Sequence, residues 1–456
     1  MLKTRITRFK ISKLFGYQDV DIDFNDRYKI LVGENGLGKT TILNALYFIL
    51  DKKFNKLNNL KFESIEIVFG NKSKISFTKS DLNFFVEGRS RNQESHFFQL
   101  LRDKITKDNV DTFKKIILDK NVSELTKRIA VSEQLNKIDI KINAPTKFIY
   151  DNITKFIEEF EAINFQRVVD VLDLNISSKI LYFPTYRRIE SHIETLKVKR
   201  NSHNIIPKWD DDDDFSNSNF DDNLKFGMED VMERIENLTE EIREMSLLGF
   251  SKITGDLLSQ LSNEFKNYTL KNKVDNKKLQ IILDRVGNSI SEIDKENIKN
   301  YIKSGDKNNK GLLYLIDKLI DLYNEQETLD VSIKNFAETC NKYLNLKQFI
   351  YDESSVTLKI FRVNANDEIE LEQLSSGEKQ IVSLFSKIYL ELDKSFIILF
   401  DEPELSLSIY WQQRLLSDIL DSKKCSFLLT VTHSPFIYDN QMENYAFGLT
   451  DYIKFN

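Results

Sequence analysis

One stretch constrains this chain more than any other: Gly33-Glu34-Asn35-Gly36-Leu37-Gly38-Lys39-Thr40-Thr41. It fits a phosphate-binding pattern of glycine, four free positions, glycine, lysine, then serine or threonine. The pattern has meaning only between a strand and a helix. Tyr28 to Val32 is an apolar run of strand length, and Ile42 to Leu50 is apolar enough for a buried helix. Glycines here keep side chains out of the loop. The segment through Gly33, Asn35, Gly36, Gly38, Lys39, Thr40 and Thr41 then turns successive N–H groups toward phosphate oxygens at the positive end of the helix. Lys39 would reach the β- and γ-phosphates, and the Thr40 hydroxyl would bind Mg²⁺.

Three C-terminal stretches supply what such a loop needs. Phe396 to Phe400 is a continuous apolar run ending in Asp401-Glu402-Pro403, so two carboxylates stand at the tip of a buried strand. Asp401 is placed to hold the Mg²⁺ shell, and Glu402 to orient and deprotonate an attacking water. Phe427 to Val431 is a second buried strand, ending in Thr432-His433-Ser434-Pro435, where His433 would sense the γ-phosphate. Upstream, Leu374-Ser375-Ser376-Gly377-Glu378 is a small-residue loop before the apolar stripe Ile381, Leu384, Phe385 and Ile388. A loop opening a helix in this way makes a second anion site.

In this order the stretches resemble the ATP-binding-cassette superfamily, in its SMC, Rad50 and RecF-like branch. The resemblance implies an α/β fold, a P-loop ATPase head of two lobes with a mixed sheet, with ATP and Mg²⁺ as ligands. It also implies a head-to-tail dimer in which Ser375, Ser376, Gly377 and Glu378 of one copy close the site of another. Ser376 stands where the family usually has a glycine and Glu378 where it usually has glutamine. Ser408 falls where the family often carries aspartate or histidine, and the sequence gives that position no role.

Composition narrows the class. The 456 residues are 41% hydrophobic and 30% charged, as expected of a soluble, ordered chain with ample core. No apolar run has the length of a bilayer span, and the N-terminus lacks a signal-peptide core, so a cytoplasmic location is expected. A net charge of −6 argues against coating DNA, although a local basic face is compatible with it. Cys340 and Cys425 read as packing residues.

Taken in order, residues 1–90 read as an N-terminal ATPase lobe. Alternating apolar residues there form strands with a turn at Phe15-Gly16-Tyr17, continued at Ser64 to Phe69 and Lys74 to Phe77. Residues 91–350 read as a mainly helical insertion, with Phe113, Ile116 and Ile117, then Ile153, Phe156, Ile157 and Phe160, on helix spacing. A sheet strand interrupts it at residues 180–183, followed by Arg187 and Arg188, which either meet phosphates or a partner or form a solvated turn. The run Asp210 to Asp214 marks a disordered loop near residues 209–223, since consecutive like charges repel. Val231, Ile235, Leu238, Ile242 and Met245 form a heptad seam of a short helical hairpin. Residues 351–456 read as a C-terminal lobe carrying the signature loop, Asp401, Glu402 and His433.

The segments Phe183 to Glu190, Asp401 to Leu407 and Thr432 to Pro435 resemble stand-alone ATPases of bacterial anti-phage systems, most nearly the PtuA family of Septu systems, also found beside retrons. That resemblance implies a separate HNH nuclease partner of the PtuB kind, an even-numbered oligomer, and DNA contact through the partner or a basic face. The chain ends soon after His433, and its four histidines are scattered, so no nuclease activity of its own is expected. The alternative is a DNA-repair ATPase that clamps DNA.

Overall fold

The computed structural model describes residues 5–88, 101, 105, 107–119, 122–138, 140, 142, 144–184, 227–262, 268, 270, 271, 274–287, 290–306, 308–365, 367–393 and 395–456. Arg187, Arg188 and the acidic run lie outside them. Among the described residues the helices are α1 (Lys39–Leu50), α2 (Phe54–Leu57), α3 (Lys79–Gly88), α4 (Lys107–Leu118), α5 (Glu124–Lys137) and α6 (Thr146–Asn175). They continue as α7 (Met228–Ser262), α8 (Asn276–Arg285), α9 (Glu292–Ser304), α10 (Lys310–Asn341), α11 (Ser376–Tyr389) and α12 (Ile409–Asp421).

Period-two alternation builds the first sheet. β1 (Ile6–Leu14), β2 (Gln18–Asp23), β4 (Ser64–Phe69), β5 (Lys74–Thr78) and β13 (Ile453–Phe455) lie antiparallel in the order β13-β2-β1-β4-β5. Phe9, Ile11, Val20, Ile22, Ile65 and Ile67 point to one buried face, as alternation requires.

Continuous apolar runs build the second sheet. β3 (Tyr28–Val32), β6 (Lys179–Phe183), β10 (Phe396–Asp401), β11 (Cys425–Thr432) and β12 (Ala446–Gly448) are all paired parallel, in the order β12-β3-β11-β10-β6. Parallel and antiparallel strands are thus sorted into separate sheets. A parallel sheet is covered on both faces, which is why β10 is buried at every position. Leu31, Ile397, Leu399, Leu429 and Val431 pack with α1 and the antiparallel sheet. Ile30, Ile398, Phe400 and Leu428 face the opposite way, toward α11 and α12. The parallel sheet therefore stands between α1 and α11.

The helices between the two sheets' strands hold further cores of their own. Phe113, Ile153, Phe156 and Ile157 are buried together in a cluster of α4, α5 and α6. Further along α6, Phe165 stacks on Phe85 at 4.5 Å between centroids and meets Phe54 and Phe77 edge-on, fastening α6 to α3, α2 and β5. α7 and α10, 35 and 32 residues long or about 50 Å at the helical rise, pack side by side, further than the heptad seam alone indicates. Val231, Leu238 and Ile242 of that seam are fully buried. At Gly249 the two helices touch so closely that a Cβ would lie 2.4 Å from Leu322 Cδ1.

Antiparallel strands β7 (Lys347–Asp352), β8 (Thr357–Arg362) and β9 (Glu368–Ile369) lead into α11. A buried polar node ties them to α8 and α10. Arg285 of α8 makes two 2.7 Å hydrogen bonds to Asp330 of α10, which also accepts from the Tyr351 hydroxyl of β7 at 2.5 Å. Cys340 and Cys425 are buried packing residues outside any disulfide, and burial pushes the Cys425 thiol up to about 12. No helix among the described residues is long and apolar enough to cross a membrane.

Candidate functional site

The order of the parallel sheet decides where the chemistry gathers. β3, β11 and β10 are neighbours running the same way, in register from Val32 to Thr432 and from Val431 to Asp401. Their C-terminal ends therefore deliver Gly33, His433, Asp401 and Glu402 to one edge, the place where open parallel sheets bind ligands. The Gly33 N–H donates to the Thr432 carbonyl at 3.3 Å, fastening the start of the loop to the strand that carries His433.

The loop is shaped by two glycines in the left-handed region, Gly36 at φ +91° and Gly38 at φ +81°. Gly36 is exposed beside Asn35, with nothing within 4 Å of where a Cβ would be. Gly38 caps α1 and has no such room, because a Cβ there would lie 3.0 Å from Phe15 Cε2. Phe15 is itself in a left-handed conformation at φ +58°, and Gln18 donates to the Leu37 carbonyl at 3.2 Å. The β1–β2 turn thus braces the loop from below. Its aromatic rings continue outward, Phe15 stacked on Tyr17 and Tyr17 on Phe455.

Lys39 is buried, and its ammonium donates to the carbonyls of Gly33 at 2.8 Å and Glu34 at 3.0 Å. The Thr40 hydroxyl donates to Asp401 Oδ1 at 3.0 Å. A threonine at the head of α1 and a buried carboxylate at the tip of β10 are therefore in direct contact. Thr41 follows them, half-buried, in the first turn of α1.

Glu402 breaks from the strand with a φ of +49°, which costs a non-glycine residue of order 1–3 kcal/mol and tends to occur where function holds it. Its N–H donates to the Val431 carbonyl at 2.9 Å. His433 Nδ1 lies 3.6 Å from Glu402 Oε1 and 3.2 Å from Glu404 Oε1, and the ring is about half exposed. Glu404 is buried and accepts the backbone N–H groups of His433 at 3.0 Å and Ser434 at 3.2 Å.

The signature residues stand elsewhere. Ser375 caps α11 in a reciprocal box, with Glu378 accepting the Ser375 N–H at 2.7 Å. Lys347 of β7 adds a 2.7 Å ion pair to Glu378. Burial pushes the Glu378 carboxyl up, but the hydrogen bonds from Lys347 and Ser375 outweigh it and hold the group below its usual range. Ser375 and Ser376 are exposed. Gly377 is buried, and a Cβ on it would lie 2.7 Å from the Ser406 carbonyl oxygen, so only glycine fits between α11 and the loop after β10. Ser408 gains a function that the sequence left blank: it caps α12, accepting the Trp411 N–H at 3.4 Å.

The structure thus brings Gly33, Lys39, Thr40, Asp401, Glu402 and His433 together and leaves Ser375 and Ser376 across the sheet from α1. Sequence reasoning missed Phe15, Gln18, Lys347 and Glu404. The one signal for Glu404 was an acidic residue just past a proline in a loop otherwise built from leucines and serines.

A family model described as an AAA ATPase domain matches residues 5–438. No curated protein matches the chain. Among solved structures, an Smc head bound to the C-winged helix domain of ScpA is 13% identical, covering 96% of this chain and 91% of that one at a TM-score of 0.31. An Smc head with an extended coiled coil, bound to the C-terminal domain of ScpA derived from Pyrococcus furiosus, gives 12% identity, 95% and 91% coverage, and 0.30. A third, an Smc head with a coiled coil and joint derived from Pyrococcus yayanosii, gives 15%, 95% and 93%, and 0.30.

Proposed function

The chain belongs to the AAA ATPase domain family, and from that premise we propose that it hydrolyses ATP at a cassette-type site closed by a second copy, as the ATPase subunit of an anti-phage complex with a separate HNH nuclease. The observation that carries the catalytic half is the 3.0 Å contact between Thr40 and Asp401. It joins a phosphate-loop hydroxyl to a strand-tip carboxylate, two hard oxygen donors of the kind Mg²⁺ selects.

The residues fit the ligands. Open space at Gly36 leaves backbone N–H groups accessible, and Lys39 stands at the head of α1 for the β- and γ-phosphates. Mg²⁺ held by Thr40 and Asp401 would supply positive charge against the phosphate oxygens. Glu402 then takes the proton of the attacking water as general base. His433, beside it, senses the γ-phosphate. Ser375 and Gly377 are proposed to act in trans, since the parallel sheet separates α11 from α1 within one chain.

The nuclease partner rests on the resemblance of Phe183 to Glu190, Asp401 to Leu407 and Thr432 to Pro435 to the PtuA family. In this reading the chain has no nuclease activity of its own, and its ATP-bound and ATP-free states favour different nuclease arrangements. Co-purification from the native host with mass spectrometry tests it. An HNH protein in fixed ratio is the expected result. Recombination proteins with ATP-dependent DNA retention would replace it with the repair-clamp reading.

A further inference from the structure

We infer that Glu404 is a positioning residue, fixing the His433 imidazole with a proton on Nδ1 so that Nε2 is the nitrogen presented to the nucleotide. The last clause rests on the proposed site; the arrangement of the ring rests on contacts within the chain alone.

A single oxygen does the holding. Glu404 Oε1 accepts the His433 N–H at 3.0 Å and the Ser434 N–H at 3.2 Å, and stands 3.2 Å from His433 Nδ1. It grips the backbone of the strand tip and lies within ion-pair reach of the ring that the backbone carries. A carboxylate at neutral pH only accepts, so the ring nitrogen facing it must be the one bearing hydrogen. Glu402 Oε1, 3.6 Å from the same nitrogen, favours the same assignment. Nε2 is left on the far side of a half-exposed ring.

The backbone that carries the carboxylate is held in turn. The Gln412 amide of α12 donates to the carbonyls of Glu404 at 3.4 Å and Leu407 at 2.9 Å, and its own oxygen accepts from the Ser434 hydroxyl at 2.7 Å. The loop after β10, the start of α12 and the tip of β11 thus form one closed circuit. Packing alone does not explain an acid here. Glu404 is 6% exposed, and its Oε2 is buried with no hydrogen-bond partner, a cost that an apolar side chain of similar size would avoid. What an apolar residue cannot do is choose the tautomer of His433.

The test is the ¹⁵N spectrum of the full chain labelled at histidine, with the His433 signals identified by their loss in His433→Ala. The expected result is a protonated Nδ1 and an unprotonated Nε2 on the neutral ring; a proton on Nε2 instead overturns the inference in the wild-type protein, before any Glu404 variant is made. Glu404→Ala should move the ring toward the Nε2–H form, while Glu404→Gln, which keeps an accepting oxygen, should hold the wild-type form. In turnover, Glu404→Ala should lower kcat roughly ten- to hundredfold with nucleotide affinity little changed. The Glu404→Ala/His433→Ala double variant should be no slower than His433→Ala, because Glu404 acts through that ring. Losses that multiply instead contradict the inference. Wild-type turnover by His433→Ala would remove the γ-phosphate role proposed for that residue, and the spectrum would still decide what Glu404 does.

Discussion

Glu402, at φ +49°, and Asp401, pressed against Thr40, are adjacent residues held by different forces, and their variants should fail differently. Glu402→Gln keeps the shape and removes the proposed base, so turnover should fall by ~10² to 10⁴ while ATP binding persists. Steady-state rates beside equilibrium nucleotide binding check this, and an active Glu402→Gln protein contradicts it. Gly38→Ala would have to adopt a positive φ with its Cβ against Phe15, so the loop should distort and nucleotide affinity fall, measured by calorimetric titration. At this scale the sequence was legible where residues act through a local pattern. The phosphate loop is contiguous, so its spacing states its geometry. Glu404 was not legible, because its partners His433 and Ser434 are brought to it by the pairing of β10 with β11.

Among elements, α11 is the one whose position most depends on a few contacts. Gly377→Ala places a Cβ 2.7 Å from the Ser406 carbonyl, a backbone atom that cannot turn aside. Overpacking of this kind typically costs about 1–3 kcal/mol, which denaturant melts would register. The Ser375–Glu378 box and the Lys347 ion pair add a pH signature. The folded Glu378 carboxyl lies below its ordinary value, so its contribution is fully present above the unfolded pKa of about 4.3 and is lost as pH falls through the folded value. The Tm advantage of wild type over Glu378→Gln should therefore hold at neutral pH and shrink in acid; an advantage that grows in acid contradicts this. The Arg285–Asp330 pair fixes α8 and α10 to β7, and its side chains are 4% and 0% exposed. Asp330→Ala leaves the guanidinium buried without its partner and should cost about 3–5 kcal/mol in the same melts. The elements themselves were largely readable from periodicity, apolar runs giving parallel strands and alternation giving antiparallel ones. The length of the α7–α10 pair was not, since beyond Met245 the seam loses its regular apolar spacing and contact continues through Gly249 and Leu322.

For the whole molecule, the parallel sheet sets the problem that, in the proposed reading, a second copy solves. It carries the phosphate loop, Asp401, Glu402 and His433 at one edge, with α1 on one face and the exposed Ser375 and Ser376 at the head of α11 on the other. A site that needs both must be completed by another molecule. The sequence indicated this only through family resemblance, because which face a helix covers is decided by sheet order. Mixing two variants tests it most directly. Lys39→Ala should lose nucleotide binding, and Ser375→Arg should bind nucleotide without hydrolysing it. When the two proteins are combined, a mixed dimer contains one site with an intact Lys39 from one copy and an intact Ser375 from the other. The account predicts that two inactive preparations regain ATPase activity on mixing, in proportion to the mixed dimer formed. Wild-type hydrolysis by Ser375→Arg alone, or no recovery when mixed dimers are shown to form, would contradict it.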